Sequence, residues 1–181
     1  MIYVISGTNR PGSKTRIVSG LITSFLKEAG AEVALLDLQE LPLDLFHPDS
    51  YAEKPAAFSR FSDAVLASEG LLIVTPEYNG SFPGVLKVFI DHLKFPESFE
   101  HRPVGFVGLA AGPWGALRAV EQLQQIFSYR NAHLYPRKVL IPSVFKAVSD
   151  EGTLTDPDIE RHLRASATGF VSFIKKFPAT A

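Results

Sequence analysis

Apolar runs of strand length alternate with longer amphipathic stretches along the whole chain, and the alternation predicts its elements. Strands are predicted at Ile2–Ser6, Glu32–Asp37, Leu71–Thr75, Val104–Ala110 and Lys138–Ile141. These runs are nearly continuous in apolar residues, as expected of strands covered on both faces. Helices are predicted at Lys14–Ala29, Pro55–Ser68, Pro83–His92, Gly115–Tyr129 and Asp156–Phe177. Gly30 sits where a helix C-cap belongs, Pro83 at a first-turn position, and Thr155-Asp156-Pro157 joins a cap to an N1-like proline. Five β-α repeats joined by right-handed crossovers give a three-layer α/β sandwich. Its parallel sheet is expected in the order 2-1-3-4-5 with helices on both faces. No composition shift marks a second domain, so residues 1–181 are read as one. Leu41–Lys54, rich in Pro and Asp, reads as a long surface loop, and Val144–Gly152 as an extended stretch ending in a turn at Asp150-Glu151-Gly152.

In sheets of this order ligands bind beyond the carboxyl ends of the strands, where the winding reverses, so the loops after strands one, three and four should meet there. The first is Gly7-Thr8-Asn9-Arg10-Pro11-Gly12-Ser13-Lys14-Thr15-Arg16. Small residues let amides converge on an anion, and the following helix adds the positive end of its dipole. The hydroxyls of Thr8, Ser13 and Thr15 and the guanidiniums of Arg10 and Arg16 can add donors suited to phosphate. Other readings compete. A triphosphate loop needs G-x-x-x-x-G-K-[ST]; Gly7 and Gly12 have that spacing but Ser13 stands where the lysine should be, although Val33–Asp37 ends in an aspartate able to hold magnesium. Gly7, Gly12 and Gly20 do not make a dinucleotide fingerprint. A serine-capped helix without ligand is the plain alternative.

Composition narrows the chemistry. With 18 basic and 19 acidic residues among 181, and the basic ones scattered, nothing suggests a nucleic-acid groove. Zero cysteines exclude disulfides and thiolate chemistry, so any redox work belongs to a cofactor. His47, His92, His101, His133 and His162 lack metal-ligand spacing, and no metal is expected. The N-terminus lacks a leader pattern and no apolar run approaches the ~18 residues of a membrane span, so a cytoplasmic location is expected, with no membrane partner.

The second loop, Thr75-Pro76-Glu77-Tyr78-Asn79-Gly80-Ser81-Phe82-Pro83-Gly84, offers an aromatic, an amide and a carboxylate between prolines, a set that suits a planar heterocycle with a mixed donor and acceptor edge. Equally, Tyr78 and Phe82 can pack while Asn79-Gly80 makes a tight turn. The third, Ala110-Ala111-Gly112-Pro113-Trp114-Gly115, has small residues around the only tryptophan, which can flank a ring, meet a partner subunit or fill an interior gap.

Ser6–Ser13 and Pro76-Glu77-Tyr78-Asn79-Gly80-Ser81-Phe82-Pro83-Gly84-Val85-Leu86-Lys87, with Ile90-Asp91 behind, closely resemble the NADPH-dependent FMN reductase family of flavodoxin-like proteins, which includes quinone, chromate and azo-dye reductases. The resemblance covers nearly the whole chain. It implies a flavodoxin-like sandwich binding FMN, with Thr8, Asn9, Arg10, Ser13 and Thr15 at the phosphate and ribityl end, Pro76, Glu77, Tyr78 and Asn79 along the ring, and Gly112 at the far rim. It also implies NADPH or NADH as donor, a ping-pong transfer of hydride to a small-molecule acceptor (a quinone, azo compound, metal ion or free flavin), and a homodimer or homotetramer. No side chain is required as a catalytic acid, and none is assigned. The chain departs from the family pattern at Thr15, Val88 and His92, where asparagine, asparagine and tryptophan are common, and at Ala116, where a second glycine is frequent. A flavodoxin-type electron carrier or a flavin-binding module without turnover shares the fold, although such carriers are usually strongly acidic and this chain has a net charge of −1.

Overall fold

The computed structural model describes residues 1–177. The elements run β1 (Ile2–Ser6), α1 (Lys14–Glu28), β2 (Val33–Asp37), α2 (Ser59–Leu66), β3 (Gly70–Pro76), α3 (Gly84–His92), β4 (Pro103–Leu109), α4 (Leu117–Tyr129), β5 (His133–Leu134), β6 (Val139–Ile141), α5 (Val144–Ala147) and α6 (Pro157–Ile174). All paired strands are parallel, in the order β2-β1-β3-β4-β5, with β6 also beside β4. Period-two alternation splits the strand side chains between two cores. Ile2, Val4, Leu72, Val74, Val107 and Leu109 pack with α1 and α6. Ile5, Leu71, Ile73, Val104 and Phe106 pack with α2, α3 and α4 on the other face. The expected doubly covered sheet and its order are therefore present.

Five expectations need correction. The fifth strand position holds two pieces: β5 pairs with Pro103 and Val104, β6 with Val107 to Leu109, and Pro136 stands in the gap between them, where a proline has no ladder donor to give. Leu41–Lys54 is not a plain surface loop. It contains 3-10 turns at Leu43–Phe46 and Pro48–Tyr51 and buries Leu41, Leu45 and Ser50. Ser50 Oγ lies 2.8 Å from His92 Nε2, His92 Nδ1 lies 2.8 Å from Val88 O, and Tyr51 stacks on the imidazole at 4.4 Å. His92 thus secures this segment to α3. Val144–Ala147 is a helical turn rather than extended chain; the turn at Asp150-Glu151 follows it, closed by an antiparallel bridge between Val148 and Leu154. The helix expected over 55–68 is a 3-10 turn at Ala56–Phe58 leading into α2, and the last helix ends at Ile174. No helix among the described residues is long and apolar enough to cross a membrane.

Candidate functional site

Beyond the carboxyl ends of β1, β3 and β4 the three loops meet around a cleft of about 310 Å³, within the range of small-molecule sites. One end of the cleft is lined by Arg10 to Thr15, the other by Pro76 to Tyr78 and by Ala110 and Ala111; Phe145 of α5 forms an outer wall. A second cavity of about 390 Å³ shares Glu77, Ala110 and Ala111 with it and extends past Asn79 and Gly112 to Trp114 and Arg118.

The first loop leaves β1 through Gly7, whose amide donates to Val74 O at 2.8 Å. A Cβ there would come within 2.7 Å of that carbonyl and 3.2 Å of Leu86 Cδ2, so only glycine allows this approach. Thr8 is buried, its hydroxyl 3.1 Å from the Tyr78 hydroxyl and accepting from the Arg10 amide at 3.3 Å. Asn9 and Arg10 are exposed. Gly12 has φ +64° and open space around its Cα. Ser13 caps α1, its hydroxyl accepting from the Arg16 amide at 3.2 Å. The following amides, Lys14 and Thr15, lie in the first turn, where a helix offers no internal acceptor. With an exposed guanidinium, a cap hydroxyl and free first-turn amides, the donor set fits a phosphate. Arg16 does not join it: its Nε pairs with Asp37 Oδ2 at 2.8 Å, and Asp37 Oδ1 caps the next turn at the Gln39 amide. Lys14 pairs with Asp150 at 2.6 Å. Neither residue is placed as a triphosphate loop would need it.

In the second loop Pro76 is buried at the end of β3. Tyr78 and Ser81 exchange backbone hydrogen bonds of 2.8 and 3.1 Å, and Asn79 (φ 51°) and Gly80 (φ 75°) form the tight turn between them, the left-handed pair favoured in two-residue hairpins. Asn79 is exposed at the tip. Glu77 lies largely buried beneath, with Oε1 3.4 Å from Arg118 Nη1 and Oε2 lacking a protein donor. Residues of α4 that the sequence did not single out hold this loop. Ser81 Oγ donates to Gln122 Oε1 at 2.6 Å, and Gln122 Nε2 donates to Gly80 O at 3.2 Å. Arg118 and Gln122 are four apart, so one helix face presents both; that spacing was the only signal the sequence held.

The third loop is tied down by its backbone: Ser143 N donates to Gly112 O at 3.1 Å and Val144 N to Ala110 O at 3.0 Å. Gly112 is exposed with nothing within 4 Å of a would-be Cβ. Trp114 is 61% exposed, which removes the interior gap-filling role. Ala116, 0% exposed, takes φ 70°, the conformation for which a glycine is the usual residue. All ten residues expected at the site border one or other cavity except Thr8 and Asn9; Thr8 reaches it through Tyr78, and Asn9 stands outside.

Comparisons with known proteins identify relatives of the chain. A family model described as NADPH-dependent FMN reductase matches residues 1–146. An NAD(P)H-dependent FMN reductase of Pseudomonas aeruginosa is 35% identical over 162 residues, covering 84% of this chain and 83% of that protein. An NADPH azoreductase of a Bacillus species is 27% identical over 91% of this chain and 90% of its own. Among solved structures, FerB, an NAD(P)H:(acceptor) oxidoreductase flavoenzyme from Paracoccus denitrificans, superposes with a TM-score of 0.82 at 25% identity, over 97% of each chain.

Proposed function

The chain belongs to the NADPH-dependent FMN reductase family, and from that membership and its cleft we propose that it passes hydride from NAD(P)H through FMN to a small electron acceptor. The observation that carries this reading is the continuity of a phosphate-type cradle with a wider cavity across three loops. When bound, FMN supplies the hydride chemistry itself. In this reading the first-turn amides of α1, the Ser13 hydroxyl and the Arg10 guanidinium hold the phosphate, and each charge-assisted bond contributes about 1.5–3 kcal/mol. Pro76 to Asn79 border the ring, with Tyr78 fixed by its contact with Thr8. Gly112 leaves the rim open for close approach of backbone to ligand. No side chain is assigned a proton transfer; a proton taken up by the acceptor together with the hydride would come from solvent at the open cleft. Quinones, azo compounds, metal ions and free flavin are all admitted as acceptors. A homodimer is supported by the resemblance and by the exposed Tyr51, stacked on His92 of α3; sedimentation that shows only a monomer would remove it.

The test is the visible spectrum of protein reconstituted with FMN and desalted, before and after anaerobic NADPH. Retained flavin that bleaches on NADPH is expected. Absence of retained flavin, or unchanged FMN affinity in the double variant Arg10→Ala, Ser13→Ala, would overturn the reading.

A further inference from the structure

We propose that the outer edge of β6 docks an extended acidic segment of a partner protein, which adds to the sheet as a further strand. This edge borders neither cavity of the flavin cleft, and the proposal does not depend on the function assigned there.

The backbone supplies the first half of the argument. β6 pairs with β4 on one side, and no strand lies beyond it among the described residues. Ile141 O accepts from the Ala110 amide at 3.1 Å, so Ile141 and, two residues earlier, Val139 turn their N–H and C=O toward β4. Leu140 between them turns its own outward. The same alternation reaches Lys138, whose N–H and C=O have no backbone partner among the described residues. Donors and acceptors thus alternate along a short free edge bounded by Pro136 and Pro142. A lone phosphate would use the donors and be repelled by the carbonyls between them, whereas an extended chain matches both.

The side chains supply the sign. A cavity of about 230 Å³ opens on this edge, lined by Arg137, Lys138, Val139, Leu140 and His162, and every polar side chain in its wall is basic. Among the described residues no carboxylate pairs with these three; Lys138 Nζ donates instead to the neutral Gln124 Oε1 at 3.3 Å. The nearby carboxylates of α6 are already engaged, Asp158 by Arg161 and Glu160 by Arg164. Lys138 reaches over α4, while Arg137 also borders a cavity beside Arg164 and Thr168 of α6, so cations flank the edge from both faces of the sheet. A second copy of this edge would bring like charges together. The groups that block self-pairing therefore select an acidic partner.

Fluorescence anisotropy of the full chain with two labelled hexapeptides, one alternating Glu and Val and one alternating Lys and Val, tests the edge. The acidic peptide is expected to bind at least about tenfold more tightly, and the double variant Arg137→Glu, Lys138→Glu should reverse the order. The same acidic peptide with every amide N-methylated keeps its carboxylates but loses its strand donors, and should bind at least about tenfold more weakly than the unmethylated one. In the wild type, the acidic peptide should slow hydrogen exchange at the Lys138 and Leu140 amides and leave Val139 and Ile141 unchanged, a readout that needs no variant. Equal binding of the two hexapeptides, a double variant that keeps the acidic preference, or unchanged exchange at Lys138 and Leu140 overturns the proposal. Undiminished binding of the methylated peptide overturns it as well, and marks the edge as a plain anion patch.

Discussion

Arg102 and Arg118 stand at opposite ends of the sheet and are used in opposite ways. Arg102 precedes β4 at the amino edge, 1% exposed, and donates to Ser98 O at 2.7 Å, to Ser68 Oγ at 2.9 Å, to Ser68 O, and to Leu66 O and Glu97 O at 3.3 Å each. Burial pushes its pKa down to about 10, which still leaves it charged at neutral pH. The guanidinium locks the end of α2 to the segment before β4. Arg118 at the carboxyl edge meets Glu77 Oε1 at 3.4 Å with its side chain 58% exposed. The amino edge thus consumes its hydrogen-bonding capacity in structure, whereas the carboxyl edge leaves first-turn amides, an exposed Arg10 and a carboxylate oxygen of Glu77 unspent. Chemistry belongs where donors and acceptors remain, and in this fold that is the edge where the loops meet.

The strongest way to break the comparison is Arg102→Met. The change relieves the cost of burying a charge but orphans several carbonyls, and a net loss of about 3 kcal/mol in denaturant-unfolding stability is expected. FMN affinity of the remaining folded protein should not change. A loss below about 1 kcal/mol would show that water can replace the guanidinium and that the amino edge does not depend on it for its structure.

Two glycines of the first loop sharpen the contrast within the carboxyl edge. Gly7→Ala would force a methyl against Val74 O, 2.7 Å away, and is expected to cost about 1–3 kcal/mol of stability as well as FMN affinity. Gly12→Ala meets no protein atom within 4 Å and carries only the strain of φ +64°, about 1 kcal/mol. Its methyl enters the open cradle, so FMN affinity should fall by more than stability. Calorimetric titration with FMN beside thermal unfolding checks both. Equal losses in the Gly12 variant would place the phosphate elsewhere. A smaller effect, about 1 kcal/mol, is expected from Gln122→Ala, which frees the hydrogen-bonding groups of Ser81 and Gly80 to water. The faster amide exchange this predicts at residues 78–81 should leave the α1 cradle untouched.

What the sequence disclosed follows physical locality. The strands were legible because each carries its apolar run within five to seven residues, and the cradle because glycines, Ser13 and the helix start lie within one loop. Features that depend on distant partners were not. Leu41–Lys54 is polar enough to read as loop, yet burial of Leu41 and Leu45 and the Ser50–His92 contact with α3 order it. The break in the fifth strand at Pro136 stayed hidden because its first piece, His133–Leu134, is too short to register alone, whereas Val139–Ile141 falls within the run expected at Lys138–Ile141. At the site, Arg16 looked equivalent to Arg10 until Asp37 of β2 claimed it. Arg118 and Gln122 lie inside an ordinary amphipathic helix, and their role exists only because α4 passes the 78–81 turn.

Ala116→Gly tests whether the carboxyl edge stores strain as well as free donors. Ala116 holds φ 70° and ψ 28° at the start of α4, a left-handed conformation that costs a residue with a Cβ about 1–2 kcal/mol. Its methyl is also fully buried, and a Cβ added at Gly108 would lie 3.1 Å from it. Glycine would relieve the strain but lose about 0.8 kcal/mol of methyl burial and about 0.4–1 kcal/mol through the greater entropy of the unfolded chain. The terms nearly cancel, so the midpoint of thermal unfolding should move by no more than a few degrees in either direction. A clear gain in stability would mean that packing against β4 contributes little and that alanine is retained there at a net cost. A clear loss would show the methyl to be a keystone between α4 and β4, giving the start of this helix the same structural duty that Arg102 performs at the amino edge.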